Sequence, residues 1–250
     1  MSPSLIDYAT RARLGVLVPS GNVIAEPELR AMLPAAIGLF ITRLKLTGSE
    51  ERQLLSMLDT LEDGTALLAD AVPDAIAFHC TAVSTFAPEM AGEIRARMGR
   101  ATTIPALATA DAILAALEVL AARRVLLVTP YIPPVHQREV DYLTAHGYQV
   151  TGGSCLGVAT NAEMAAIPPA SVADQARTTA RNVDADVCFI SCTAIKSAGV
   201  IATLEAELGI PVITSNQVLA WYAMRRLGIA DDRPGFGRLF ASGLAVQAAA

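Results

Sequence analysis

Short apolar, β-branched runs alternate along the chain with longer segments rich in Ala, Leu, Glu and Arg. Residues 14–18 (LGVLV) are apolar without a break and stop at Pro19. Such a run predicts a strand covered on both faces. Further strands are predicted at 39–44, 75–78, 103–106, 124–128, from 148 into 153, 187–190 and 211–214. Helices are predicted at 25–32, 50–71 (as one or two), 88–98, 110–122, 135–145, 169–182, 200–208 and 216–227. The first helix carries Glu26 and Glu28 in its first turn, where the helix dipole favours acids. Regular alternation of strand and helix argues for an α/β fold with mostly parallel sheet.

The pattern also repeats. LGVLVP ending at Pro19, FHCTA around Cys80 and IPAL around Pro105 recur as VLLVTP ending at Pro130, ISCTA around Cys192 and IPVI around Pro211. The three offsets are 111, 112 and 106 residues. Near-constant offsets predict two similar lobes related by a pseudo-two-fold axis. Residues 11–115 with 216–245 are expected to form the N-terminal lobe and 116–215 the C-terminal lobe. Each lobe then presents Cys-Thr-Ala at the carboxyl end of a strand, where α/β sheets bind ligands and free amides favour anions. Two lobes face to face would set Cys80 and Cys192 on opposite sides of one cleft.

Composition narrows the classes. The chain has 250 residues, 53% hydrophobic and 17% charged, with mean hydropathy +0.43. Disorder is excluded by that apolar content and a net charge of −5. Only two of the 19 basic residues are lysine, with no basic run, so no nucleic-acid partner is expected. The long apolar stretch 104–122 carries Asp111 and Glu118, so no membrane span is expected. The first ten residues lack a leader's charged and apolar regions and read as a lead-in, as 246–250 read as a frayed tail. Four cysteines are too few for a disulfide scaffold, and a cytoplasmic protein is expected.

Several residues could carry chemistry. Cys188, inside a strand, and Cys155 read as packing residues. Cys80 and Cys192 differ, because both end strands and both precede a threonine. No Cys-x-x-Cys pair exists, so no metal site is expected. Thr81 and Thr193 could cap the next helix or bind a carboxylate, and the two readings are compatible. Asn22, in Pro19-Ser20-Gly21-Asn22, is either a turn residue or a donor over the cleft. Tyr131 is a packing residue or a phenolic donor. Asn161 is a helix cap or a further donor. His79 should point away from Cys80, because strand neighbours face opposite sides, and so reads as a core or supporting residue. Lys196 and Arg233 read as solvated surface cations. Trp221, Tyr222 and Met224 read as core rather than dimer surface. Dinucleotide, phosphate-loop, zinc-protease and nucleophile-elbow motifs are absent.

Pro19-Ser20-Gly21-Asn22 with Glu26, the two Cys-Thr strand ends, Val128-Thr129-Pro130-Tyr131 and Asn161 together resemble the maleate cis-trans isomerase and arylmalonate decarboxylase group of the aspartate/glutamate racemase superfamily. The segment 233–240 (RPGFGRLF) and the Tyr131 loop are similar to the decarboxylases, but those keep only the second cysteine. The resemblance covers about 14–239 and implies a cofactor-independent enzyme of two Rossmann-like lobes with the site between them. It implies Cys80 as nucleophile toward an alkene carbon of maleate, with Cys192 protonating the adjacent carbon or guiding the collapse. It implies that Asn22, Tyr131 and Asn161 hold the carboxylates of a small acid, with Thr81, Thr193 and the amides around Ala82 and Ala194. It also implies a homo-oligomer. This chain departs from the pattern at Gly21, His79, Ala82 and Lys196. Three alternatives stay open: a two-thiol racemase, a decarboxylase with Cys192 as proton donor, and a non-catalytic small-acid binding protein.

Overall fold

Among the described residues, eight strands form two sheets of the same topology. In the first, β1 (Ala12–Pro19), β2 (Ile37–Leu44), β3 (Ala75–Phe78) and β4 (Ala106–Ala108) lie in the order β2-β1-β3-β4. In the second, β5 (Arg124–Tyr131), β6 (Gln149–Val158), β7 (Val187–Ile190) and β8 (Val212–Thr214) lie in the order β6-β5-β7-β8. Every pairing is parallel. The sequence repeat is therefore a repeat of strand order. The computed structural model describes residues 7–46 and 48–244. The start of the lead-in, the tail and the expected lobe boundary at 245 lie outside the described residues.

Helices cover both faces of each sheet. In the first half they are α1 (Ala25–Met32), α2 (Glu51–Ser56), α3 (Leu61–Ala69), α4 (Thr81–Ser84), α5 (Met90–Ala101) and α6 (Thr109–Val119). In the second they are α7 (Pro133–Ala145), α8 (Asn161–Ala166), α9 (Pro169–Ala180), α10 (Ile201–Leu208) and α11 (Ser215–Arg226). Alternation along each central strand divides the core. Leu14, Val16, Val125 and Leu127 join one cluster, while Leu17, Leu126 and Val128 join another. The first cluster gathers both sheets around α6 and α11, which pack on each other and bury Ile113, Leu117, Leu219 and Trp221. Each fully buried side chain of this size contributes about 1.5–3 kcal/mol. α11 also packs on α1. Trp221 and Met224 are fully buried. No helix among the described residues is long and apolar enough to cross a membrane.

Some boundaries differ from expectation. The strand expected at 103–106 is Ala106–Ala108. Pro105 has no N–H for the ladder, although its carbonyl accepts from the Ile76 N–H at 2.9 Å. β5 continues past 128 to Tyr131, with a register shift between Thr129 and Tyr131 where Pro130 interrupts pairing. The segment 50–71 is two helices joined by a 3₁₀ turn, Met57–Thr60. The helix expected at 88–98 is Met90–Ala101, and the short α4 was not expected.

Candidate active site

The central strands β3 and β7 end at Phe78 and Ile190, and two residues further on stand Cys80 and Cys192. Both thiols are buried and line one cavity of about 200 Å³. That is below the roughly 300–1,000 Å³ of sites for drug-sized ligands, and suits a small molecule. The two backbones differ. Cys80 is extended, at φ −149° and ψ 110°, and leads into α4. Cys192 has φ +136°, a conformation that costs a side-chain-bearing residue about 1–3 kcal/mol.

Thr81, Ala82, Tyr131, Asn161 and Thr193 also line the cavity. Asn22 and Ala194 do not. Asn22 is buried behind Thr193, and its Nδ2 donates to Thr193 Oγ1 at 2.9 Å. Its Oδ1 accepts from the Ile24 and Ala25 N–H groups, both at 2.9 Å, as α1 begins. The oxygen is thus fully engaged and one Nδ2 hydrogen is taken, which makes Asn22 a strut between the lobes with one N–H left to give. The Ala194 N–H donates to Cys192 Sγ at 3.2 Å. Asn161 opens α8, but the cap is Thr160, which forms a capping box with Glu163. The Asn161 side chain is left beside Gly21, where an added Cβ would stand 3.4 Å from its Nδ2.

Among the described residues, no Lys, Arg or His lines the cavity. Burial pushes both thiols up to about 12, against the amides of Ala82 and Val83 at Cys80 and of Ala194 at Cys192. Those amides favour the thiolate, as does the Tyr131 hydroxyl at Cys192. Burial likewise raises Tyr131 well above the ordinary phenol value. The neutral Cys192 thiol donates to Met164 Sδ at 3.7 Å. The cavity therefore offers an anion neutral donors held in place, which stabilise developing charge without reorganising. Among the described residues, no three His, Cys, Asp or Glu side chains converge to hold a metal ion.

Sequence reasoning missed the wall and the support of this cavity. Leu46 and Leu54, after β2, and Met164 in α8 form an apolar wall. Ser49 Oγ donates to the Ala159 carbonyl across the mouth, joining the segments that follow β2 and β6. Behind the thiols lie Ser215 and Asn216 at the start of α11, with Glu28 and Glu139 on α1 and α7. One signal was available: Glu28 and Glu139 are separated by 111 residues, the same offset as Pro19 and Pro130.

A buried thiol from each of two like lobes, set among neutral donors, defines a cysteine enzyme acting on a small molecule. The chain belongs to the arylmalonate decarboxylase family, whose model matches residues 14–240. It is 32% identical over 251 residues to a maleate isomerase of Nocardia farcinica, covering 94% of this chain and 98% of that one. An arylmalonate decarboxylase of Bordetella bronchiseptica is 34% identical over 145 residues, 57% of this chain and 60% of that one. A solved structure of the Nocardia farcinica maleate cis-trans isomerase superposes with a TM-score of 0.85 at 29% identity, covering 92% and 98% of the two chains. In that structure a cysteine is replaced by serine, and a covalently bound succinylcysteine intermediate is present. A solved arylmalonate decarboxylase variant superposes as well, with a TM-score of 0.86 at 25% identity, covering 92% of this chain and 98% of that one. The chain is an isomerase of this family.

Proposed function

We propose that this enzyme converts maleate, or a similar small cis-dicarboxylate, to its trans isomer through a covalent adduct on Cys80. The observation that carries this reading is the pair of thiols, one from each lobe, in a single cavity that no cationic side chain among the described residues lines. Similarity to an isomerase crystallised with a succinylcysteine supports the covalent route.

The step begins with one proton lost from the thiol pair. The Cys80 thiolate attacks one alkene carbon, and the π electrons move to the adjacent carbon. That carbon takes the proton of the Cys192 thiol. The product is a succinyl thioether on Cys80 and a thiolate at Cys192, met by the Ala194 N–H. The former double bond is now single and rotates. The Cys192 thiolate removes the proton, the C–S bond breaks, and fumarate leaves with Cys80 again a thiolate. Thr193, Tyr131 and Asn161 hold the carboxylates in this reading, with Thr81 contributing its backbone N–H because its hydroxyl is given to Ser215. Asn22 acts through Thr193.

Proton NMR of maleate with the purified enzyme tests this directly. Fumarate should appear, and Cys80→Ser should abolish it. In Cys192→Ser an intact-mass gain of one maleate should persist on Cys80. Carbon dioxide release from an arylmalonate without any maleate turnover would overturn the reading in favour of decarboxylation.

A further inference from the structure

The first two residues of α11 touch both strand ends that carry the thiols. Ser215 Oγ accepts from the Thr81 hydroxyl at 2.8 Å and from the Cys192 N–H at 3.0 Å. Asn216 Nδ2 donates to the Thr193 carbonyl at 3.3 Å and to Glu28 Oε2 at 2.7 Å. Its Oδ1 lies 2.8 Å from His79 Nε2, and His79 Nδ1 lies 2.9 Å from Thr109 Oγ1. His79, Thr109, Ser215 and Asn216 are all fully buried.

The direction of this chain is determined by its anionic end. Glu28 also accepts from the N–H groups of Ser197 at 2.6 Å and Ala198 at 2.8 Å. It therefore needs the Asn216 amino group as donor, and the Asn216 carbonyl must face His79. His79 then carries its proton on Nε2, and its Nδ1 competes with the Phe78 carbonyl, 3.1 Å away, for the Thr109 hydroxyl hydrogen and takes it at the shorter distance of 2.9 Å. Burial holds the ring neutral, with its value down at about 4. Every link runs one way, from Thr109 through His79 and Asn216 to Glu28. It joins the residue just before Cys80 to the carbonyl just after Cys192.

We propose that Asn216, oriented by His79, is a positioning residue that holds the Cys80–Thr81 and Cys192–Thr193 strand ends in one register for a two-thiol reaction. The proposal rests on the maleate reading above, because attack and protonation fall on adjacent carbons. A misplacement of about 1 Å can cost roughly 100-fold in such a reaction.

The test compares His79→Gln, which can keep a donor near the Nε2 position, with His79→Leu, which cannot, alongside Asn216→Ala. For maleate, His79→Leu and Asn216→Ala should lose about 10- to 100-fold in kcat with KM within about threefold. His79→Gln should recover most of the loss. Equal loss in both His79 variants, or no loss in His79→Leu, overturns the proposal. Peptide mapping after brief N-ethylmaleimide treatment reads the same register without turnover. The ratio of Cys80 to Cys192 labelling in the folded enzyme should be kept in His79→Gln and changed in His79→Leu. A wild-type enzyme inert toward maleate defeats the parent reading, and the labelling ratio still decides this one. If His79→Leu does not fold, Ser215→Ala takes its place in the labelling assay, and an unchanged ratio there overturns the proposal.

Discussion

Glu28 and Glu139 occupy equivalent places in the two lobes, but only Glu28 has both carboxylate oxygens hydrogen-bonded. Glu28 is met by two backbone amides, the Ser197 hydroxyl and Asn216. Glu139 receives only the Ser191 hydroxyl, at 2.6 Å, and its Oε2 has no partner. The residue opposite Asn216 in the repeat is Ala110, which has no amide to give. Burial raises both carboxyls, and it pushes Glu139 up to about 8.

That difference makes stability depend on pH. An exposed glutamate ionises near 4.3, so the unfolded chain releases this proton well before the fold does. The stability from Glu139 is complete below about pH 4 and is lost as pH rises towards 8. His79, held down at about 4, acts in the opposite sense, its contribution being lost as pH falls below about 6.5. Between pH 6.5 and 8 the Glu139 effect remains, on the order of 2 kcal/mol. The melting temperature of the wild type should fall across that window, and Glu139→Gln should flatten the fall. Parallel curves for the two proteins would remove Glu139 from the account.

The thiols should be sluggish near neutrality. With both pushed up to about 12, the thiolate fraction grows about tenfold per pH unit through the accessible range. Alkylation of Cys80 by iodoacetamide, followed by mass spectrometry in the absence of substrate, should climb accordingly from pH 7 to 9. A rate already level at pH 7 would mean a thiolate present in the free enzyme.

Asn22→Ala should weaken both the fold and the site. It strips the acceptor from two N–H groups entering α1, at a cost of about 1–2 kcal/mol in urea unfolding. It also frees Thr193, so KM for maleate should rise several-fold while kcat changes less. A raised KM with an unchanged urea midpoint would separate the two roles assigned to this amide.

Cys192 offers a test of backbone strain. At φ +136° glycine is comfortable and alanine is not. Cys192→Gly should therefore be more stable than Cys192→Ala by about 1–2 kcal/mol, against the usual order for these residues. Alanine equal to or better than glycine in urea denaturation contradicts strain at this position.

The two lobes could be read from the chain because buried parallel strands leave uninterrupted apolar runs, and those runs recur at a steady offset. The strands at 75–78 and 187–190 and the helix at 25–32 stand where patterning put them. The short α4 escaped because four residues make too little of a helical period to see. Leu46, Leu54 and Met164 escaped because periodicity tells that a side chain is apolar, not that it borders a cavity. The turn signal at Asn22 leaves open a turn residue or a donor because it carries no direction, and the contact of its amide with Thr193, 171 residues away, is not encoded locally. The contact of Asn216 with Glu28 spans 188 residues and depends on α11 crossing to α1, which no local pattern encodes.

The cavity draws on two kinds of strand. The thiols follow β3 and β7, which have neighbours on both sides, whereas Leu46, Leu54, Ser49, Ala159 and Met164 follow β2 and β6, the outermost strands of their sheets. Chemistry and substrate shape are thus encoded on separate stretches of the chain. Exchanging an edge-strand connection with that of a relative would reshape the wall, and at β6 also the Met164 contact of the Cys192 thiol, while both cysteines stay anchored in the middle of each sheet. Broadening what the enzyme accepts is, on this architecture, a problem of loop grafting and not of rebuilding the catalyst.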